Sequence, residues 1–165
     1  MQSVNRAMFG GSLFLLMVSP AYAWEFSTDT DAMTDEKVGV IMGVGEDPRL
    51  GLFLKCWAKG TVDPILVIVD SKILHDDGSQ SAPVKIRFDD ASPIDLEMES
   101  FDFNGRQGYR LGLNKDEIGQ TVISQFEASK HKIAVEVNDM IIKFDASSLQ
   151  NQMAKLKPIC EGAAP

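Results

Sequence analysis

From Lys37 onward, apolar residues recur at every second position in short runs set apart by turn-forming residues. A period of two places alternate side chains on opposite faces, so the pattern commits most of the chain to β-strands with one face turned to a core. Lys37 to Val44 (KVGVIMGV) sets Val38, Val40, Met42 and Val44 on one side. Leu50 to Trp57 groups Leu50, Leu52, Leu54 and Cys56 opposite Phe53, Lys55 and Trp57, so Cys56 is expected to point into a core with the leucines. Residues 65–70 (ILVIVD) are apolar on both faces, the pattern of a central strand covered on both sides. Further on, Val84, Ile86 and Phe88 alternate with Lys85 and Arg87.

Turn chemistry separates these runs. An Asp-Gly pair lies within residues 75–81 (HDDGSQS), and Asn104-Gly105 joins residues 96–103 to residues 107–113. Asn138-Asp139 divides Ile133, Val135 and Val137 from Met140, Ile142 and Phe144. In two places the period becomes helical. Asn114 with Glu117 three residues later opens a segment in which Ile118, Val122 and Phe126 recur to about Ser129, with Ile123 beside Val122. Ser147 and Ser148 then precede a last helix carrying Leu149, Met153 and Leu156, which Pro158 is expected to stop, leaving Cys160 just beyond. The segment 24–37 (WEFSTDTDAMTDEK) is polar and reads as an irregular arm. Six to eight short strands and two short helices predict one mainly β or α+β domain, an antiparallel sheet or β-sandwich covered on its open side or end by the helices.

Residues 1–23 are expected to stand outside that domain. Arg6, an apolar run from Phe9 to Val18, Pro20 and the small-residue site Ala21-Tyr22-Ala23 have the layout of a cleaved secretory signal. The folding part is then 24–165, in the periplasm or secreted. Arg6 is the only charge lost with the leader, so that part holds 15 Lys and Arg against 24 Asp and Glu, a net charge of −9. Such an acidic domain with no basic cluster is repelled by phosphate backbones, which argues against nucleic-acid binding. Nor does any further apolar run approach the roughly 20 residues that cross a bilayer.

Cys56 and Cys160, 104 positions apart, are the only cysteines. In an oxidising compartment an even pair in a small domain reads as a disulfide. The competing readings are a metal pair or a catalytic thiol, but the pair lacks CxxC spacing and neither cysteine has a neighbouring His.

Catalytic candidates are sparse. His75 and His131 lie 56 positions apart in charged surroundings and read as exposed polar residues. Asp29, Asp31, Asp35 and Glu36 suggest a calcium loop, but Met33, Thr34 and Val40 stand where that loop needs an oxygen ligand, a Gly and a Glu. The segment instead reads as a solvated entry in which Thr34 or Asp35 caps a turn. Asp76-Asp77 and Asp89-Asp90, with Arg87, are the carboxylate pairs a hydrolase would use, yet strand neighbours point to opposite sides and cannot face each other across a cleft. Gly39, Gly43 and Gly45 form no nucleotide fingerprint. No catalytic, cofactor or metal residue is assigned. The binding candidate is the segment 101–110 (FDFNGRQGYR), where Phe101, Phe103 and Tyr109 accompany Arg106 and Arg110 around a turn. Aromatic residues and Arg are enriched at interaction hot spots. The competing reading has Phe101 and Phe103 on one strand face, filling core.

Several pieces taken in order resemble a known family. These are Trp24 followed by Met33-Thr34-Asp35, the Leu-x-x-Lys-Cys-Trp run ending at Trp57, Arg87-Phe88-Asp89 at a strand end, and Phe144-Asp145 with Leu149 leading to Cys160. Together they resemble the VasI-like small exported proteins associated with type VI secretion, over nearly the whole of residues 24–165. The resemblance implies an exported accessory protein that binds an envelope or secretion component, and it carries over no catalytic residues. The alternative is a periplasmic inhibitor or binding module acting on a basic cell-wall enzyme, toward which a net −9 domain would be steered.

Overall fold

The alternating runs form nine strands and the helical periods form two helices. In chain order they are β1 (Glu25–Thr30), β2 (Lys37–Val44), β3 (Leu50–Trp57), β4 (Thr61–Ile68), β5 (Ser81–Phe88), β6 (Ile94–Phe103), β7 (Arg106–Arg110), α1 (Glu117–Ala128), β8 (Lys132–Val137), β9 (Met140–Asp145) and α2 (Leu149–Cys160). The structure is a computed structural model, and it describes residues 24–47, 49–58, 61–68, 81–103, 106–111 and 117–161. The leader, the loop bearing His75, Asp76 and Asp77, the Asn104-Gly105 turn and Asn114 lie outside the described residues.

All strand neighbours are antiparallel, in the order β1-β2-β3-β4-β7-β6-β5-β8-β9. The first four strands form a meander, and the other five form a second group joined to it by only three residue pairs between β4 and β7. The inner faces of the two groups share one core. Leu52 of β3, Val84 and Ile86 of β5, Leu96 and Met98 of β6, Val135 of β8 and Val122 of α1 surround a void of only about 10 Å³. That leaves room for about one water molecule at this place in the core.

Where the chain leaves β2, the Glu46 N–H donates to the Lys143 carbonyl of β9 at 2.8 Å. Trp24, immediately before β1, reinforces this closure of the sheet. Its indole Nε1 donates to the Asp145 carbonyl at 2.6 Å, and its backbone N–H donates to Ser148 Oγ at 3.1 Å. The ring packs edge-on to Phe126 at 6.5 Å and beside Phe144 at 6.2 Å. It is 2% exposed, which makes it a core residue.

Two expectations are corrected. The arm at 24–37 begins as a strand, β1, which brings the count to nine rather than six to eight. As an edge strand exposed at all but Phe26, it has no apolar face to advertise, and its pairing with β2 holds it in the sheet. Pro158 does not stop α2, which runs on to Cys160. In the last turn a proline removes only one helical hydrogen bond, and the Glu161 N–H still reaches the Lys157 carbonyl at 3.0 Å. Ser148 occupies the N-cap position of α2, but its hydroxyl is turned to Trp24 rather than to a helix N–H.

The disulfide links Cys56 and Cys160 with Cα atoms 5.4 Å apart. It ties α2 to the inner face of β3, where Leu50, Leu52, Leu54 and Cys56 are all buried. Gly39, paired with Cys56 across β2 and β3, allows the approach, because a Cβ there would come within 2.6 Å of Leu156 Cδ1 on α2. Gly43 does the same for Trp24, whose ring would lie 2.8 Å from an added Cβ. The inward side of β2 is therefore Gly39, Ile41 and Gly43, and the side carrying Val40, Met42 and Val44 is turned outward. Hydrophobicity alone would have oriented the strand the other way. Neighbouring bulk decides against it, since the space over the inner side is already filled by α2 and Trp24.

Candidate functional site

The outward side of β2 is part of a wider apolar surface. Across the strands, Met42 pairs with Phe53, Val40 with Lys55 and Val38 with Trp57. A second line runs through paired positions from Val44 to Gly51, Val67, Gly108 and Phe101, crossing β2, β3, β4, β7 and β6 on one face of the sheet. Val40, Met42, Val44, Phe53, Trp57 and Phe101 are each half-buried, while Val38 and the three residues between Val44 and Phe101, Gly51, Val67 and Gly108, are buried. Lys55 Nζ lies 4.5 Å from the Trp57 ring centroid, close enough for a cation–π contact.

At the β1 end of this surface the chain turns through residues 31–36. The Asp31 carboxylate accepts hydrogen bonds from the N–H groups of Met33 at 2.9 Å and Thr34 at 3.1 Å, and these hold its pKa below the usual carboxylate value. The Asp35 N–H reaches the Asp31 carbonyl at 2.8 Å, with Asp35 at a φ of 57°, and Thr34 Oγ1 accepts from Glu36 at 3.4 Å. The acidic segment is thus a hairpin connection organised chiefly by Asp31. Between this turn and the sheet lies a cleft of about 410 Å³ with Val38, Val40 and Phe53 on its floor and Asp29, Asp31 and Lys55 at its margin. Met33 projects from the turn, 92% exposed.

The five residues grouped around the 104–105 turn separate into three sets. Phe101 and Arg110 do share the outer face, with the guanidinium 5.9 Å from the ring and 3.4 Å from Glu99. Tyr109 is a correction to that grouping: it points inward and is 4% exposed, because its neighbours in β7 alternate and the aromatic falls on the core parity. Phe103 and Arg106 are paired through their backbones at the end of the hairpin, and their side chains lie outside the described residues.

Among the described residues, Asp89, Asp90 and Arg87 are held by structural roles. Asp89, at a φ of 47°, accepts the N–H groups of Lys130, His131 and Lys132, each at 2.9 Å. Partial burial would raise its pKa, but those three hydrogen bonds and the charge of His131 outweigh it and keep the carboxyl below its usual range. An acid held ionised cannot serve as the proton donor that glycoside hydrolysis requires. Asp90 is paired with Lys132 at 3.2 Å, and Arg87 Nε donates to the Ala91 carbonyl at 3.0 Å. His131 is exposed. Among the described residues no three His, Cys, Asp or Glu side chains are grouped to hold a metal ion, and no helix is long and apolar enough to cross a membrane.

The cluster of aromatic residues and Arg pointed to the hairpin around residue 104, and the outer face of β2 and β3 was passed over. The available clue was glycine at alternate positions of KVGVIMGV, since glycine on one side of a strand marks close approach by another element and sends the larger side chains to the opposite face. No family model, curated protein or solved structure matches the chain.

Proposed function

We propose that this chain is an exported, non-enzymatic accessory protein that binds a protein of the cell envelope or of a secretion apparatus through the outer face of β1 to β3. The observation that carries this reading is the orientation of β2, which turns Val40, Met42 and Val44 outward beside Phe53 of β3, all four of them still partly exposed. Contiguous apolar surface of this kind is how soluble domains bind other proteins. The layout of residues 1–23 as a secretory signal supports export, and the disulfide suits an oxidising compartment. The resemblance to VasI-like proteins points to type VI secretion as the setting. Asp89 and Asp90, which a hydrolase would use, are engaged in a turn and an ion pair.

A photo-crosslinking residue placed at Met42 in the native host tests the reading. It is expected to capture a discrete envelope or secretion protein, whereas the same residue at exposed Glu127 of α1 captures none. Equal, diffuse labelling from both positions would overturn it.

A further inference from the structure

We infer that the cleft between the β1–β2 turn and the outer face of β2 and β3 receives a lysine or arginine side chain of the partner protein. The inference rests on the docking face proposed above and adds the chemistry of what it recognises. The cleft combines two surfaces that a long basic side chain needs together. Its floor is aliphatic and aromatic, from Val38, Val40 and Phe53, and Asp29 and Asp31 stand at its margin. A basic side chain lays its methylenes along such a floor and carries its charge to the rim, whereas a purely apolar side chain satisfies only the floor and a short acidic one satisfies neither.

Both carboxylates are available for that charge. Among the described residues Asp29 accepts only the adjacent Thr30 N–H at 2.8 Å, and Asp31 accepts the two N–H groups of its own turn. Neither forms an ion pair within 4.0 Å among the described residues. Among the described residues Lys55 is the one cation on the lining; it sits over the Trp57 ring and outside ion-pair distance of either carboxylate, although its charge still acts on Asp31. The described lining therefore carries a net charge of about −1, with two carboxylates against one ammonium, on a chain that is itself acidic. The turn is also preformed, because the hydrogen bonds within residues 31–36 fix it before any partner arrives. Binding then incurs little ordering cost on this side.

The test uses the disulfide-intact protein purified from the periplasm of an expression host, with amide shifts followed by NMR. The probe is the blocked peptide acetyl-Gly-Leu-X-Leu-Gly-amide, with X as Lys, Arg, norleucine or Glu. The Lys and Arg peptides are expected to shift Val38, Val40 and Lys55, and to bind about five- to tenfold more tightly than the norleucine and Glu peptides. The preference should shrink as salt rises from about 50 to about 500 mM. Asp29→Asn with Asp31→Asn, which keeps an oxygen to accept the turn N–H groups, should remove it. Lys55→Gln should strengthen binding about two- to fivefold, a gain that damage to the fold cannot produce.

Norleucine binding as tightly as Lys, or weaker binding in Lys55→Gln, would overturn the inference. The same shifts arising on concentration without peptide would also overturn it, by identifying a second copy as the occupant. Capture from Met42 with no preference for the basic peptides would leave the docking face standing and remove the inference. The basic preference without capture from Met42 would do the reverse.

Discussion

Asp89 illustrates how single residues here are committed to backbone. One carboxylate satisfies three N–H groups that the chain leaves unbonded between α1 and β8, and it does so from a positive φ that Asp tolerates better than most residues. Asp89→Ala is expected to cost about 1–2 kcal/mol in urea unfolding at pH 7, with Asp89→Asn intermediate because the amide keeps an accepting oxygen. The pH dependence follows from its depressed pKa in the folded state. Its contribution is fully present above the unfolded carboxyl value near ~3.9 and is lost as pH falls through the lower folded value. The gap between wild type and Asp89→Ala should therefore close in acid, and a gap that widens would contradict the role. Gly43 and Gly39 offer a paired comparison. An added methyl at Gly43 meets a Trp24 ring held by a hydrogen bond and two aromatic neighbours, whereas at Gly39 it meets the mobile ends of Leu156 and Ile159. Gly43→Ala is expected to cost about 1–3 kcal/mol and to exceed Gly39→Ala, as measured by chemical denaturation.

Among the elements, α2 depends most on a single bond. It packs against β1, β2, β3 and α1 with Leu149, Leu156 and Ile159 buried, and Cys160 fastens its end. The Cys56→Ala, Cys160→Ala pair is expected to lower stability by about 2–4 kcal/mol. Hydrogen exchange should rise first in α2, with the β8–β9 hairpin still protected. Uniform loss of protection would contradict that assignment. The β8–β9 hairpin is held locally, by Asn138 and Asp139 at φ values of 48° and 62° in a two-residue turn. Such primed turns match the strand twist but need left-handed backbone, so Asn138→Ala should cost about 1 kcal/mol. This hairpin and the inner faces of β3 and β5 were legible in the sequence because alternation and turn residues agreed there. β1 was not, because an edge strand wet on both faces has no apolar parity. The end of α2 was misplaced because Pro158 reads as a stop wherever it stands, and only the hydrogen bonding of the last turn shows that it is tolerated.

At the scale of the molecule, local patterns do not state which strand groups face each other. The disulfide was legible from two cysteines and a compartment, yet the closure through Trp24 and Glu46 required tertiary structure. The same holds for the candidate site. Phe101 and Arg110 were visible within one group of five residues, but which of the five share a face, and that this is the face of Phe53 and the outward valines, depends on the strand order. The central claim is that β2 presents its apolar side to a partner and its glycine side to the core. Met42→Lys, read for thermal midpoint and for capture of the partner by a crosslinker at Val44, tests it most directly. A midpoint within about 2–3 °C of wild type, as for a surface substitution, is expected together with loss of capture. An unfolded variant, or a folded one that captures its partner as before, would contradict it.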